Sequence, residues 1–598
     1  MTAQVPDPGP WLADTLPMAR LLVSEPTEPS GVEASPLREP AVLAARARQG
    51  ALWDASRTLV VRVTNLVITA VVAHILTRHD FGVFAVALTA YMLANTFAKF
   101  GAGVCLMRAD FDIDTLAPTM VSVSLISATV AAELTFVFAR SIASALGSPD
   151  GAGPIRVMAL VLFLEGFSAI PWAQLSRDFR QDRQFWANAI SFIPSQVVLI
   201  LLAKSGYGAM AFAWSTALNQ AITAVMLIIF APTKYLPGFA RGALSPLFRV
   251  GVPIAGAGFV NYVLLNVDYA FIGHLIGAVQ LGLYMLAFSM ASWPVGLIGG
   301  AVTAVSMPAF SRIKHDPDLL KSVLIKAVRA ASLIVMPICG FMIALARPVV
   351  LTLYGARWSA SAEVLSVLSL YSAMSIICTL FGTILSGLGK TKTFVVVQLL
   401  WLGALVPAMV LGIRRDGING AAQAHVVIIG LLVLPSYAFA LKRATGVRLA
   451  ALVKATLPGL LAAAAAALVA RTVAAQLASP LMQLAGGLAA GGLVYAVLAG
   501  RQVAVGLLGL GQLARLRALR AFRAYESATR LVALARRALT NGSYTGRHAR
   551  STTVSTPDAR LQQFDAAIRQ QPAPPRLKVP RTDTGGPDGI TAASTAPL

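Results

Sequence analysis

Charged residues are scarce in this sequence. Only 13% of its 598 residues are Asp, Glu, Lys or Arg, whereas a water-soluble domain carries about 25%. Apolar residues make up 57% of the chain, and its mean hydropathy is +0.71. Because so few polar groups cannot cover the surface of a folded chain of this length, the composition argues against a water-soluble globular protein and indicates that lipid is the solvent.

Cysteine is scarce as well. The three cysteines fall in or beside apolar runs and form no CxxC or Cys/His spacing. The sequence therefore predicts neither a zinc site nor a disulfide framework. We interpret these residues as buried free thiols that pack as small hydrophobic side chains.

Motifs of nucleotide-binding and catalytic sites are missing. The segment SGLGKT at 386–391 approaches a phosphate-binding P-loop, but that motif needs a glycine where the chain has Ile384. A P-loop also follows a strand, whereas this segment ends an apolar run. No Walker, kinase or GxSxG motif occurs elsewhere, and no acidic pair or histidine cluster indicates a hydrolase or a glycosyltransferase. We therefore expect a protein that is not an enzyme, holds no metal or cofactor, and does not hydrolyse ATP.

Long apolar runs are abundant instead. They are continuous rather than alternating with a period of two, which predicts transmembrane helices and not a β-barrel. The fold class is thus an all-α polytopic membrane protein with about fourteen transmembrane helices. The runs lie near 55–77, 82–101, 116–140, 155–173, 188–204, 208–230, 250–275, 281–306, 325–345, 362–387, 394–413, 418–440, 453–473 and 481–500.

The connections between runs differ in charge. Those after even-numbered runs are rich in Arg and Lys, as in 177–183 and 234–249, and those after odd-numbered runs are poorer. Because cytoplasmic loops carry the excess of basic residues, the even-numbered connections are predicted to be cytoplasmic. Both termini of the chain then lie in the cytoplasm.

The two ends of the chain have different compositions. Residues 1–50 are rich in Pro, Glu and Ser and are predicted to be a disordered cytoplasmic tail. Leucines alternate with arginines over 501–542, which is typical of a basic amphipathic helix on an anionic inner leaflet. Nucleic-acid binding is disfavoured because no aromatic platform or DNA-binding motif accompanies the arginines. Residues 543–598 are predicted to be a second disordered tail.

One helix–turn–helix stretch, called the corner below, occurs twice in the sequence. AHILTRHDFGVFAVAL at 73–88 returns as GHLIGAVQLGLYMLAF at 273–288, with His74, Gly82 and Ala87 at the same offsets as His274, Gly282 and Ala287. Six predicted spans separate the copies, so both have the same orientation. The pattern predicts two pseudo-symmetric six-helix lobes related by an axis along the membrane normal. The lobes would be residues 51–231 and 232–440, and two extra helices would follow in 441–500.

Polar and ionisable residues inside the spans are the candidate site residues. A charge at a helix centre costs about 2.5–3.5 kcal/mol on insertion scales, so it needs a partner or a water-filled cavity. For each residue, a structural hydrogen bond between helices is the alternative role. The repeat is broken at two of the positions, where Arg62 matches Tyr262 and Asp268 matches Ile68. The full set is Arg62, Asn65, Glu133, Glu165, Asn261, Asn266 and Asp268.

Four blocks of the sequence resemble a known family. They are ILTRHDFGVFAVALTAYMLANTFAKFGAGVCLMR at 75–108, the block from NVDYAF to AFSRI at 266–313, LYGARWSASAEVLSVLSL at 353–370 and LSGLGKTK at 385–392. Together they resemble the bacterial oligosaccharide flippases, the polysaccharide transporter branch of the multidrug/oligosaccharidyl-lipid/polysaccharide exporter superfamily. The resemblance covers roughly residues 50–455.

The resemblance implies a fold and an activity. The fold would be V-shaped and MATE-like, with the first and seventh spans lining a central cavity. The activity would be translocation of a polyprenyl-pyrophosphate-linked oligosaccharide across the bacterial plasma membrane, for cell-surface polysaccharide biosynthesis. Polysaccharide polymerases and glycosyltransferases would be partners. Asp268 matches an Asp that is common in the seventh span of this family.

The site residues suggest a mechanism. Arg62 is the first candidate to bind the pyrophosphate through charge-assisted hydrogen bonds. Asp268 would pair with Arg62 in the empty cavity, or would bind a coupling proton or sodium ion. Three other functions remain open: a multidrug/cation antiporter, a lipid II flippase, and a membrane scaffold that does not transport.

Overall fold

The computed structural model describes residues 64–99, 113–178, 180–240, 252–296 and 315–500, and positions 106, 299–300, 306, 310–311, 313 and 502. They belong to the first of two compact units, Met1–Gly511. Every regular element within these ranges is a helix. Arg62 and the predicted segments 1–50 and 543–598 lie outside the described residues, as does 501–542 apart from Gln502.

The helices follow the predicted apolar runs in order, and a helix lies over part of each run. Their bounds are α1 Thr64–Ile75, α2 Arg78–Lys99, α3 Ile113–Val137, α4 Ala139–Ala145, α5 Ala152–Arg177, α6 Gln181–Lys204, α7 Ala209–Phe230, α8 Val252–Ile276, α9 Ala278–Ala291, α10 Pro317–Ala344, α11 Ala346–Tyr354, α12 Ser361–Gly387, α13 Thr391–Ile428, α14 Leu434–Thr445, α15 Leu449–Ala475 and α16 Pro480–Gly500.

The helices are long enough to span a bilayer. Among the described residues, ten helices have the length and apolar composition to cross a membrane, and α1 and α9 are shorter apolar helices. A chain with this many apolar helices is a multi-pass membrane protein. The prediction of an all-helical polytopic protein is therefore confirmed, and the count of fourteen crossings stays a prediction.

The longest continuous stretch, 391–445, contains a turn between two predicted runs. The backbone leaves helical geometry at Asp416 and Gly417, and Gly417 has φ +53°. Glycine adopts this left-handed conformation without the steric cost that a Cβ would bring. The turn falls between the predicted spans 394–413 and 418–440.

The outer faces of the bundle are apolar. Large side chains such as Leu431 and Val497 are 78% and 75% exposed, which would favour aggregation in water and is expected against lipid tails. Inside, alanines of α15 such as Ala463 and Ala466 are buried where that helix packs against α10. Small residues let helix backbones approach closely in a membrane.

The two copies of the repeated corner pack against each other, α2 on α9. A Cβ added at Gly82 would lie 1.7 Å from the carbonyl oxygen of Ala278, and one at Gly282 would lie 2.1 Å from that of Arg78. Positions 78 and 278 are themselves equivalents in the repeat. The contact is therefore reciprocal, as in an interface between elements related by a two-fold axis.

The segment LYGARW, residues 353–358, also packs against the first copy of the corner. Trp358 is fully buried and donates a hydrogen bond from Nε1 to the Ala73 carbonyl oxygen at 3.1 Å. The Arg357 guanidinium donates to the same oxygen, and the Phe81 ring meets the Trp358 ring edge-on at 4.9 Å. The block therefore satisfies a carbonyl at the end of α1 and fixes the corner that follows it.

Candidate functional site

A polar cavity of about 850 Å³ lies among α1, α6, α7 and the end of α9. This volume falls in the range of about 300–1,000 Å³ that small-molecule sites occupy. The residues that line it are Asn65, Leu66, Thr69, Asn188, Phe192, Ser195, Gln196, Ser215, Thr216, Asn219, Ser289, Met290, Trp293, Gly296 and Tyr354.

Helical periodicity brings the polar groups to the cavity. Asn188, Phe192, Ser195 and Gln196 lie on one face of α6, because residues three, four, seven and eight positions apart share a face. The other face of α6 carries exposed apolar side chains such as Ile193. The helix thus presents amides and hydroxyls to the cavity and hydrocarbon to the membrane.

The described lining of the cavity contains amides, hydroxyls and aromatic rings, and no charged side chain. Of the sequence-predicted candidates, Asn65 is in this lining. The remaining polar groups, on α1, α6, α7, α9 and α11, were missed because uncharged residues in a span carry a weak signal. The informative pattern was the helical spacing of Asn, Gln and Ser along 188–196.

Asp268 lies in a different place, in the core around α8, α9 and α13. Its side chain is 0% exposed. The Tyr284 hydroxyl donates to Asp268 Oδ2 at 2.9 Å, and the Tyr269 backbone N–H donates to Oδ1 at 3.0 Å. The carboxyl group is therefore held by two donors in the interior and does not line the cavity.

His425 of α13 completes this cluster. Its Nε2 lies 3.5 Å from Asp268 Oδ2, and its side chain is 2% exposed. The separation is within ion-pair reach, but among the described residues neither ring nitrogen of His425 has a hydrogen-bond partner. The ring lies beside Tyr371, with the two centroids 4.7 Å apart. The result is a buried, imperfectly paired acid and base.

Sequence reasoning missed His425. The residue lies in an apolar run that was predicted as a span, where any ionisable side chain is a functional candidate. The sequence therefore offered His425 as a candidate. It could not predict the contact with Asp268, because 157 positions separate the two residues and only the packing of α8 against α13 brings them together.

Glu165 lies in α5, in a second polar cluster within the first half of the chain. The Tyr91 hydroxyl donates to Glu165 Oε1 at 2.6 Å, and Asn95 Nδ2 donates to the Tyr91 oxygen at 2.9 Å. The side chain of Glu165 is half-buried. The predicted site residues Glu165 and Asp268 therefore belong to separate networks.

Glu133 is an exposed residue of α3. It lines an apolar groove of about 680 Å³ among α3, α5 and α7 together with Arg156, whose guanidinium lies 5.6 Å from the centre of the Phe136 ring. This groove is distinct from the polar cavity, so Glu133 does not join Asn65.

The last two predicted residues belong to α8. Asn266 is half-buried there, and the side chain of Asn261 lies outside the described residues. The predicted pairing of Asp268 with Arg62 stays a prediction, because Arg62 also lies outside them.

Comparison with known proteins identifies relatives of this chain. A family model described as "Polysaccharide biosynthesis protein" matches residues 71–363. The succinoglycan biosynthesis transport protein ExoT of Rhizobium meliloti (strain 1021) is 26% identical over 445 residues, covering 73% of this chain and 88% of the relative. The lipopolysaccharide biosynthesis protein WzxC of Escherichia coli (strain K12) is 24% identical over 409 residues, covering 66% of this chain and 81% of the relative.

Solved structures share the arrangement of helices. The lipid II flippase MurJ in an inward closed conformation matches with a TM-score of 0.61 at 15% identity, covering 75% of this chain and 98% of MurJ. An inward-facing multidrug resistance MATE family transporter of the MOP superfamily matches with a TM-score of 0.52 at 15% identity, covering 67% of this chain and 99% of that transporter. The chain therefore has a MurJ- and MATE-like fold, and its residues 71–363 match the polysaccharide biosynthesis protein family.

Proposed function

We propose that this protein is a flippase of the bacterial plasma membrane. Its cargo is an oligosaccharide on a polyprenyl pyrophosphate carrier, which it moves by alternating access, without ATP hydrolysis, for cell-surface polysaccharide biosynthesis. The relatives support this proposal, since one is named a succinoglycan biosynthesis transport protein. The proposal also includes glycosyltransferases and a polymerase as partners.

The observation that carries the proposal is the uncharged polar cavity inside an apolar helical bundle. A glycan cannot cross about 30 Å of hydrocarbon unaided, because each polar group that loses its hydrogen bonds costs several kcal/mol. A cavity of about 850 Å³ lined by Asn, Gln, Ser and Thr side chains replaces those bonds. The prenyl tail is apolar, needs no such hydrogen bonds, and stays in the lipid.

We propose that two six-helix lobes, residues 51–231 and 232–440, are related by an axis along the membrane normal, form a V and rock against each other. The reciprocal contacts of Gly82 and Gly282 support this arrangement. With both termini cytoplasmic and fourteen crossings, the repeated corners lie on the outer side. Their contact then closes the outer end of the cavity and parts when the cavity opens outward. The last two crossings and the basic helix of 501–542, on the anionic inner leaflet, follow the lobes.

The proposed coupling ion is a proton, held by Asp268 and His425. An acidic and a basic side chain lie here in one buried contact, where an unbalanced charge would be costly. A sodium ion fits less well, because the imidazole nitrogen 3.5 Å from Asp268 Oδ2 occupies space beside the carboxylate.

Arg62 remains the proposed ligand of the pyrophosphate. A guanidinium binds phosphate oxygens through paired charge-assisted hydrogen bonds, and none of the described cavity residues supplies a cation. Its pairing with Asp268 would require the carboxyl group to leave Tyr284 and His425, with which it is buried.

A translocation assay tests the function. The chain is reconstituted in proteoliposomes with a polyprenyl-pyrophosphate-linked trisaccharide, and arrival of the glycan at the opposite leaflet is measured with an impermeant lectin. We expect transfer that Asp268→Asn slows at least about tenfold, while Asp178→Asn, outside both polar sites, leaves it unchanged. Transfer of lipid II or export of a cationic dye in place of the glycan would overturn the assignment and favour the alternatives.

A further inference from the structure

The groove of about 680 Å³ among α3, α5 and α7 is lined mainly by apolar side chains. Its small residues Ala132 and Ala159 are buried, whereas Phe136, Leu160 and Trp214 are exposed. Exposed apolar surface that is concentrated in one place needs a covering of lipid or protein. Because these helices belong to a membrane-spanning bundle, a hydrocarbon chain of the bilayer matches the groove in chemistry.

Two charged side chains lie in the same groove, each one helical turn from a helix end. Glu133 lies four residues before the end of α3, and Arg156 lies four residues after the start of α5. At 1.5 Å per residue, both are about 6 Å inside their helices. This is the depth at which long polar side chains reach the headgroup layer. Trp214, five residues into α7, fits the aromatic belt of the same layer.

Neither charge is neutralised by the protein. Among the described residues, no ion pair joins Glu133 to Arg156, and neither side chain has a hydrogen bond. The Arg156 guanidinium instead lies over the Phe136 ring, 5.6 Å from its centre. The other polar groups of the described lining are the Thr129 hydroxyl and the Trp214 indole N–H. The groove thus offers an acid and a base to one ligand.

We infer that this groove binds a membrane phospholipid whose headgroup carries a phosphate and a primary ammonium, that is, phosphatidylethanolamine. Arg156 binds the phosphate through charge-assisted hydrogen bonds, and Glu133 accepts hydrogen bonds from the ammonium. One acyl chain lies along the apolar lining. The inference goes beyond the proposed function and does not depend on it, because the groove is separate from the polar cavity.

The pair of charges distinguishes this lipid from two close relatives. Phosphatidylglycerol has the phosphate that Arg156 needs but brings no cation to Glu133, so the carboxylate repels it. Phosphatidylcholine has the same net charge as phosphatidylethanolamine, but its quaternary ammonium has no N–H to donate. An aromatic face attracts such an ammonium, and the face of Phe136 is already taken by the guanidinium.

Lipid binding to the full chain tests the inference. The protein is purified in detergent and titrated with phosphatidylethanolamine, phosphatidylcholine or phosphatidylglycerol with identical acyl chains. Native mass spectrometry gives the apparent dissociation constant of the first bound lipid. We expect phosphatidylethanolamine to bind at least about threefold more tightly than either of the others, the size expected for one partly exposed ion pair.

Three variants locate the site. Arg156→Gln should weaken the binding of all three lipids, because each has a phosphate. Glu133→Gln should abolish the preference for phosphatidylethanolamine over phosphatidylcholine and should improve the binding of phosphatidylglycerol. The matched control is Arg471→Gln, which changes an exposed arginine four residues before the end of α15, outside the groove. It should keep the wild-type order of affinities.

Several outcomes would overturn the inference. Equal affinity of the wild type for phosphatidylethanolamine and phosphatidylcholine is one, and an unchanged preference in Glu133→Gln is another. Tightest binding of phosphatidylglycerol would identify a site for anionic lipid instead. Equal effects of Arg156→Gln and Arg471→Gln would place the binding elsewhere on the bundle. If Arg156→Gln fails to fold, the wild type and Glu133→Gln alone decide the question.

Discussion

The contact between the repeated corners can be tested by adding one methyl group. Gly282→Ala places a Cβ 2.1 Å from the backbone oxygen of Arg78, and Gly82→Ala places one 1.7 Å from that of Ala278. Backbone atoms cannot rotate away as a side chain does. Either substitution must therefore move α2 and α9 apart.

The size of the effect follows from these distances. Ordinary van der Waals contacts begin at 3.4 Å, so the helices must separate by about 1 Å or more, and overpacking of a tight core costs about 1–3 kcal/mol. The matched control is Gly403→Ala in α13, where a Cβ meets no atom within 4 Å. That change should stabilise its helix by about 0.5–1 kcal/mol. The corner variants and the control thus differ in sign.

Thermal unfolding in detergent, followed by intrinsic fluorescence, measures the difference. We expect both corner variants to melt below the wild type and Gly403→Ala to melt at or slightly above it. Because both methyl groups press the same two helices apart, the double variant should lose less than the sum of the single losses. Corner variants as stable as Gly403→Ala, or fully additive losses, would refute the reciprocal contact.

Three further changes have expected outcomes. Trp358→Phe removes the Nε1 hydrogen bond to Ala73 and should lower the unfolding free energy by about 1 kcal/mol. Trp358→Ala empties a fully buried site and should lower it by about 3–5 kcal/mol. Equal melting temperatures for the two variants would contradict this expectation. His425→Ala should slow glycan transfer and abolish its response to an imposed pH gradient, while His315→Ala, at an exposed position outside the corner and the cavity, should leave both intact. Tyr91→Phe removes the 2.6 Å hydrogen bond to Glu165 and should lower the unfolding free energy by about 1–3 kcal/mol, which chemical denaturation would measure.

Much of the fold could be predicted from the sequence, because lipid imposes simple rules. Spans must be helical and apolar, and a helix lies over part of each predicted run. The repeat also placed Gly82 and Gly282 at equivalent positions, and the structure brings each of them against the other copy. These features depend on local composition and on a register of 200 residues, both of which are visible in the chain.

The cavity was harder to predict, because its residues are individually ordinary. Asn188 and Asn219 are uncharged and lie on different helices, and only the packing of α6 against α7 brings them together. A search for charges therefore led to Asp268 and Glu165, which are in networks outside the cavity. The free energy of membrane insertion singles out charged residues, because they are costly to place in lipid. The side chains that line this cavity are uncharged amides and hydroxyls, which such a search passes over.

One helix joins the features that the sequence and the structure single out. α9 carries Gly282 at the corner contact, Tyr284 on Asp268, and Ser289 at the cavity wall. Tyr284 lies two residues from Gly282, so a change in the hydrogen bond to Asp268 acts on the same turn of helix that meets α2. On the proposed function, a proton at Asp268 and His425 need not touch the glycan to move it. A shift of α9 would couple the buried pair to both the closure of the corner and the shape of the cavity, because a packed helix moves as a unit.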